Sequence, residues 1–142
     1  MKIPASILIL ILLFTGSCST SNAGSKKLTD GTYIGRSCAQ YTAEPFVGKV
    51  TIKIEKQKIV KVDFQITDTL ANELFGADYD KHFPDNKMYQ DQCHNDWKGV
   101  QLYPNELLKE QEISQVDAVT GATWSYNIFK ASVEKALNKA SH

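Results

Sequence analysis

Val50-Thr51-Ile52-Lys53-Ile54-Glu55-Lys56-Gln57-Lys58-Ile59-Val60-Lys61-Val62-Asp63-Phe64-Gln65-Ile66 contains two runs of regular alternation. Val50, Ile52 and Ile54 interleave with Thr51, Lys53 and Glu55. Val60, Val62, Phe64 and Ile66 interleave with Lys61, Asp63 and Gln65. Successive strand side chains point to opposite faces, so the pattern predicts two half-buried strands. The short polar link Lys56-Gln57-Lys58 joins them as a hairpin. It lacks the Gly or Asn favoured in two-residue turns, so a slightly longer loop is expected.

Working outward toward the N-terminus, Asp30-Gly31 reads as a turn ahead of a first strand, Thr32-Tyr33-Ile34-Gly35. Toward the C-terminus, Thr69 to Phe75 reads as a helical turn closed by Gly76. The remainder of 68–99 is polar and interrupted by Pro84, so it reads as a long irregular excursion, either a cover for a ligand or an ordinary surface segment. Pro104-Asn105-Glu106-Leu107-Leu108-Lys109 predicts a short helix with Pro104 in its first turn. Ile113 to Val119 predicts a strand. The chain closes on an amphipathic helix, with Phe129, Val133, Ala136 and Leu137 on one face and Lys130, Glu134, Lys135 and Lys139 on the other. The expected class is α+β: a small twisted antiparallel sheet with a β-hairpin, packed against a C-terminal helix and short helices.

The 142 residues suffice for one modest domain. Lys2 and the apolar run Ile7 to Phe14 read as a signal segment, too short to span a bilayer, which takes about 20 apolar residues. Thr15-Gly16-Ser17 then precede Cys18, which resembles the lipobox of bacterial lipoproteins, with Thr15 where Leu is usual; ordinary secretory cleavage is the alternative. The division expected is residues 1–17 as lipoprotein signal peptide, 18–28 as a small, polar tether, and 29–142 as the domain. The resemblance implies a lipid on Cys18 and a place in the bacterial cell envelope, extracytoplasmic, at the periplasmic side or the cell surface.

Sixteen Lys and Arg balance sixteen Asp and Glu, and removing residues 1–17 takes away only Lys2. No cationic cluster follows the tether, which excludes the usual nucleic-acid face. Cys38 and Cys93 are candidates for a disulfide, with two separate thiols or a redox-active pair as the alternatives. Cys93-His94 with Asp91 and Asp96 lacks the paired spacing of a zinc site, and no metal is expected. Nothing orients a nucleophilic triad, and no catalytic residue is assigned.

The chemistry is concentrated in Val116-Asp117-Ala118-Val119-Thr120-Gly121-Ala122-Thr123-Trp124-Ser125. A helix begins here behind small residues, and the unpaired N–H groups of a helix start favour an anion. The plain alternative is that Thr123 or Ser125 simply caps the last helix.

This stretch resembles the flavinylation motif of the FMN-binding domain family, Asp-x-x-(Ser/Thr)-Gly-Ala-(Ser/Thr)-x-(Ser/Thr). The family includes the C subunit of the sodium-translocating NADH:quinone reductase and the G subunit of the Rnf complex. Asp117, Thr120, Gly121, Ala122, Thr123 and Ser125 fill the specified positions, while Trp124 stands where a smaller aliphatic residue is usual. Asp30 to Gly35, the hairpin 49–65 and the closing segment 110–137 are similar as well. The resemblance implies FMN joined through its phosphate to Thr123 by an FAD-dependent flavin transferase. It implies transferase recognition at Asp117 and Thr120, although Asp117 has the turn backbone as an alternative partner. Gly121 and Ala122 keep the approach clear, Ser125 completes the motif, and Trp124 is a candidate neighbour of the ring. Tyr33, Tyr79, Tyr89 and Trp97 are further stacking candidates.

The function expected is electron transfer between membrane-associated donors and an extracytoplasmic acceptor, with a redox partner protein and the membrane, through its lipid, as partners. A stand-alone flavin-dependent reductase and a non-redox surface lipoprotein binding module are the alternatives.

Overall fold

The computed structural model describes residues 27–38 and 45–141. The signal segment, Cys18 and most of the tether lie outside them. Four strands form one antiparallel meander in the order β1 (Gly31–Arg36), β2 (Phe46–Glu55), β3 (Lys58–Asp68) and β4 (Glu73–Leu74). Two helices cover one face: α1 (Lys87–Glu110) and α2 (Thr123–Ala140). The expected α+β class is the observed one.

The hairpin forms through the two alternating runs, with Val50 opposite Phe64 and Ile52 opposite Val62. Its turn is shorter than expected. Lys56 and Gln57 both take positive φ, 51° and 62°, the conformation of a two-residue turn usually given to Asn and Gly. Asp30 replaces what those residues would supply, because its carboxylate accepts the N–H of Lys56 at 2.8 Å and of Gln57 at 2.9 Å. The Asp30-Gly31 opening thus acts as a clamp on a turn 26 residues away. A bulge then shifts the register at Lys53/Ile54. Ile59, not Val60, consequently enters the core at 3% exposure, and Val60 turns outward at 44%.

The longest helix was the least visible in sequence. Residues 87–110 form one continuous helix with Pro104 inside it, in place of an irregular segment followed by a short helix. Thr69 to Phe75 is a turn leading into β4 instead of a helical turn, with Asp68 accepting the N–H groups of Leu70 and Ala71. Segment 113–119 holds only a short 3-10 turn at Ile113–Gln115, because Gln111 terminates α1 in a left-handed conformation. The Gln111 carboxamide also accepts from Ile59 N–H at 2.8 Å and donates to its C=O at 3.0 Å, standing in for a strand neighbour at the outer edge of β3.

α2 lies across the sheet so closely that a Cβ on Gly35 would fall 1.8 Å from the Ser132 carbonyl oxygen. Phe129, Val133 and Ala136 are fully buried against Val50, Ile52 and Ile54, as the amphipathic pattern predicts. Leu28 bridges Ser141, and Thr29 N–H donates to the Ala140 carbonyl at 2.9 Å, so the chain enters the domain beside the C-terminal end of α2. Cys38 and Cys93 are both free thiols, contrary to the disulfide considered for them. Cys38 accepts a hydrogen bond from Lys135 on α2, while Cys93 is buried on α1.

Candidate functional site

The motif residues sort by a period of three. Asp117, Thr120 and Thr123 are exposed, whereas Val116, Ala122 and Ser125 are buried. Gly121 turns the chain into α2 with φ of +78°. The N-cap of α2 is Ala122, which has no acceptor in its side chain, and Thr123 is the first helical residue. The simple capping role considered for Thr123 is therefore not the observed one. Its hydroxyl makes no hydrogen bond among the described residues, and neither does the carboxylate of Asp117.

The cap comes instead from α1. Asp96, 2% exposed, accepts the Ser125 N–H at 3.0 Å and the Ser125 hydroxyl at 2.7 Å through Oδ1. The Gln92 amide donates to Asp96 Oδ2 at 2.5 Å and to the Gly121 carbonyl at 2.8 Å. Tyr103 hydroxyl donates to the Ala122 carbonyl at 2.8 Å and accepts the Val119 N–H at 3.2 Å. Tyr126 hydroxyl donates to the Val116 carbonyl at 2.8 Å. Two orphan donors remain at the helix start, the N–H groups of Thr123 and Trp124, which have no acceptor among the described residues. They lie beside the free hydroxyl at the positive end of the helix dipole, where a phosphate is favoured.

Beside Trp124 opens a cleft of ≈ 180 Å³ walled by Phe46, Phe75, Tyr79, Phe83, Tyr89 and Cys93, with Gln92 and Asp96 at its polar side. Trp124 meets Phe46 edge-on at 5.0 Å and Phe75 at 5.2 Å between ring centroids. Burial, together with the hydrogen bond to Asp68 at 2.6 Å, holds the Tyr79 phenol well above its ordinary range. Burial first, and then the charges of Asp80 and Asp96, push the Cys93 thiol up, so it stays protonated and unreactive. A larger cleft, ≈ 790 Å³, lies at the other end of α2 between Gln57, Gln111 and Leu137. Its lining includes none of the motif, so the small aromatic cleft is the relevant one. An apolar, aromatic cleft next to a phosphate-favouring helix start offers the two chemistries a flavin nucleotide needs, an aromatic wall for the ring and N–H donors for the phosphate.

Residues 43–138 match the family model of the FMN-binding domain. The chain belongs to the FMN-binding domain family. Its cofactor is FMN, and its chemistry is that of a flavoprotein. A Clostridium perfringens protein of known crystal structure is 26% identical with a TM-score of 0.63, over 80% of this chain and 88% of that one. A Clostridium thermocellum protein with a solution NMR structure is 18% identical with a TM-score of 0.48, over 80% and 92%. No curated protein matches the chain. The family match includes the hairpin, both helices and the motif, while β1 with its Asp30 clamp precedes it.

Within this FMN-binding domain, Thr123, Trp124 and the aromatic cleft are neighbours, and Tyr79, Tyr89 and Trp124 line that cleft. Tyr33 packs in the main core and Trp97 against the second cluster, outside the cleft lining. Asp91, Cys93, His94 and Asp96 are engaged separately. Asp91 pairs with Lys87, His94 with Asp80 at 2.9 Å, Asp96 with Ser125, and Cys93 faces the cleft. Sequence reasoning gave Gln92 and Tyr103 no role and weighed Asp96 only as a metal ligand. The available signal was the spacing Cys93, Asp96, Val100, Tyr103, Leu107, a buried helical stripe in which an aspartate occupies an apolar position.

Proposed function

We propose that this FMN-binding domain is an exported, lipid-anchored electron carrier with FMN esterified to Thr123. The observation that supports this reading is the Thr123 hydroxyl: exposed at the start of α2, excused from capping by Asp96, and flanked by two N–H groups that, like it, have no partner among the described residues. In the attachment step, Thr123 Oγ1 forms a bond to the flavin-side phosphorus of FAD while the pyrophosphate bond breaks. AMP leaves, and the hydroxyl proton passes to a base of the transferase. Asp117 and Thr120, both exposed, offer the transferase its recognition contacts.

When bound, the flavin supplies reversible one- and two-electron transfer. Linkage at the phosphate leaves the ring electronics to noncovalent contacts, and the wall formed by Phe46, Phe75, Tyr79 and Trp124 offers an apolar face for it. The protonated Cys93 and the elevated Tyr79 phenol add no charge to that wall. Covalent attachment suits a protein outside the cytoplasm, where a dissociated cofactor is not replenished. Cys18 carries the lipid in this reading, and a redox protein of the envelope receives or supplies the electrons.

The test is the intact mass of full-length protein co-expressed with a flavin transferase and export machinery. The expected gain is one FMN less one water, lost in Thr123→Ala, with the lipid mass on a fragment beginning at Cys18. Colourless wild-type protein with no flavin mass would remove the proposal.

A further inference from the structure

We infer that Asp96, braced by Gln92, is a positioning residue for flavin attachment, and that it selects Thr123 over Ser125 as the acceptor. This rests on the proposed attachment at Thr123. The motif carries hydroxyls at Thr120, Thr123 and Ser125, and a helix start draws such groups into capping bonds with its free N–H donors. Capping engages the oxygen and moves its residue into a non-helical conformation. Ala122 cannot cap, so without another acceptor the adjacent Thr123 would be drawn into the role.

Asp96 removes that competition from outside the motif. Its Oδ1 takes the Ser125 N–H at 3.0 Å, which satisfies the helix start without using Thr123. The same oxygen takes the Ser125 hydroxyl at 2.7 Å, and that residue is fully buried. The nearer rival nucleophile is therefore occupied and shielded. Gln92 donates both to Asp96 at 2.5 Å and to the Gly121 carbonyl at 2.8 Å, so the carboxylate and the turn preceding Thr123 are held as one unit. Asn95, between them, contacts Gly121, where an added Cβ would lie 3.0 Å from its amide nitrogen. One turn of α1 thus forms the mould for the acceptor turn, 29 residues away in sequence.

The experiment co-expresses full-length variants with the transferase, then measures loading rate by flavin fluorescence and intact mass, with the site located by peptide mapping. Asp96→Ala should slow loading on the order of tenfold or more, as misplacement of a reacting atom does. The loss should fall in the transferase kcat and spare its KM, because Asp117 and Thr120 are untouched. Asp96→Asn keeps an oxygen acceptor for the Ser125 N–H but sets an amide N–H against the Gln92 donor, so it should recover part of the rate and load faster than Asp96→Ala. Asp30→Ala, which loosens the turn at Lys56 and Gln57 and touches no motif residue, should load at the wild-type rate, which separates positioning from loss of stability. Folded Asp96→Ala that loads like wild type overturns the inference. If Asp96→Ala does not fold, the exposed Gln92→Ala decides: slower loading supports the inference, and wild-type loading overturns it. Wild type that takes no flavin at all would be a failure of the attachment reading instead.

Discussion

Gly121 and its neighbours show how much of the acceptor turn depends on single residues. At φ of +78° an L side chain is strained, and its Cβ would press on Asn95. Gly121→Ala should cost about 1–2 kcal/mol in denaturant unfolding, and it should slow flavin loading by more than that stability loss explains. The specified motif residues were legible because Gly121, Ala122 and Thr123 are contiguous. Asp96 was not, since a buried carboxylate has meaning only beside Ser125, and nothing local marks that pairing. Tyr103, which ties the Ala122 carbonyl to the Val119 N–H, was hidden for the same reason.

Among the elements, the hairpin was legible because period-two alternation is a property of each strand alone. The bulge that sends Val60 outward was not, because it depends on how β3 meets β2. The α1 helix was obscured by its own composition: Asn86 and Asp85 ahead of it, Gly99 and Pro104 within it, and Asp96 in its buried stripe. The terminal helix, with Phe129, Val133 and Ala136 at helical spacing, was legible throughout. The turn at Lys56 and Gln57 carries two positive-φ residues of the wrong type. Replacing the pair with Asn-Gly should raise stability by roughly 1–2 kcal/mol, read as a higher midpoint of urea unfolding. Asp30→Ala should lower the midpoint, because both clamped N–H groups lose their acceptor.

For the molecule as a whole, two carboxylates pin the ends of the hairpin, and both are held below their ordinary range. Asp30 is lowered by the Gln57 N–H and then the Lys56 N–H, and Asp68 chiefly by the Tyr79 hydroxyl. A group with a depressed folded-state pKa binds fewer protons in the native state. Its stabilisation is therefore complete above the unfolded value, about 4 for Asp, and is lost as the pH falls through the folded value. Melting temperature should be level from neutrality down to about pH 5 and then drop. Asp68→Asn should flatten that drop while costing about 1–3 kcal/mol at pH 7.

The pairing of Leu28 with Ser141 has a spatial consequence for traffic to the cofactor. The polypeptide arrives at one pole of the domain and Thr123 opens α2 at the other, a separation of about 27 Å along an 18-residue helix. With the lipid proposed on Cys18, the acceptor oxygen would sit at the pole of the domain away from the point where the tether joins it, and the proposed carrier would exchange electrons with partners that approach that pole.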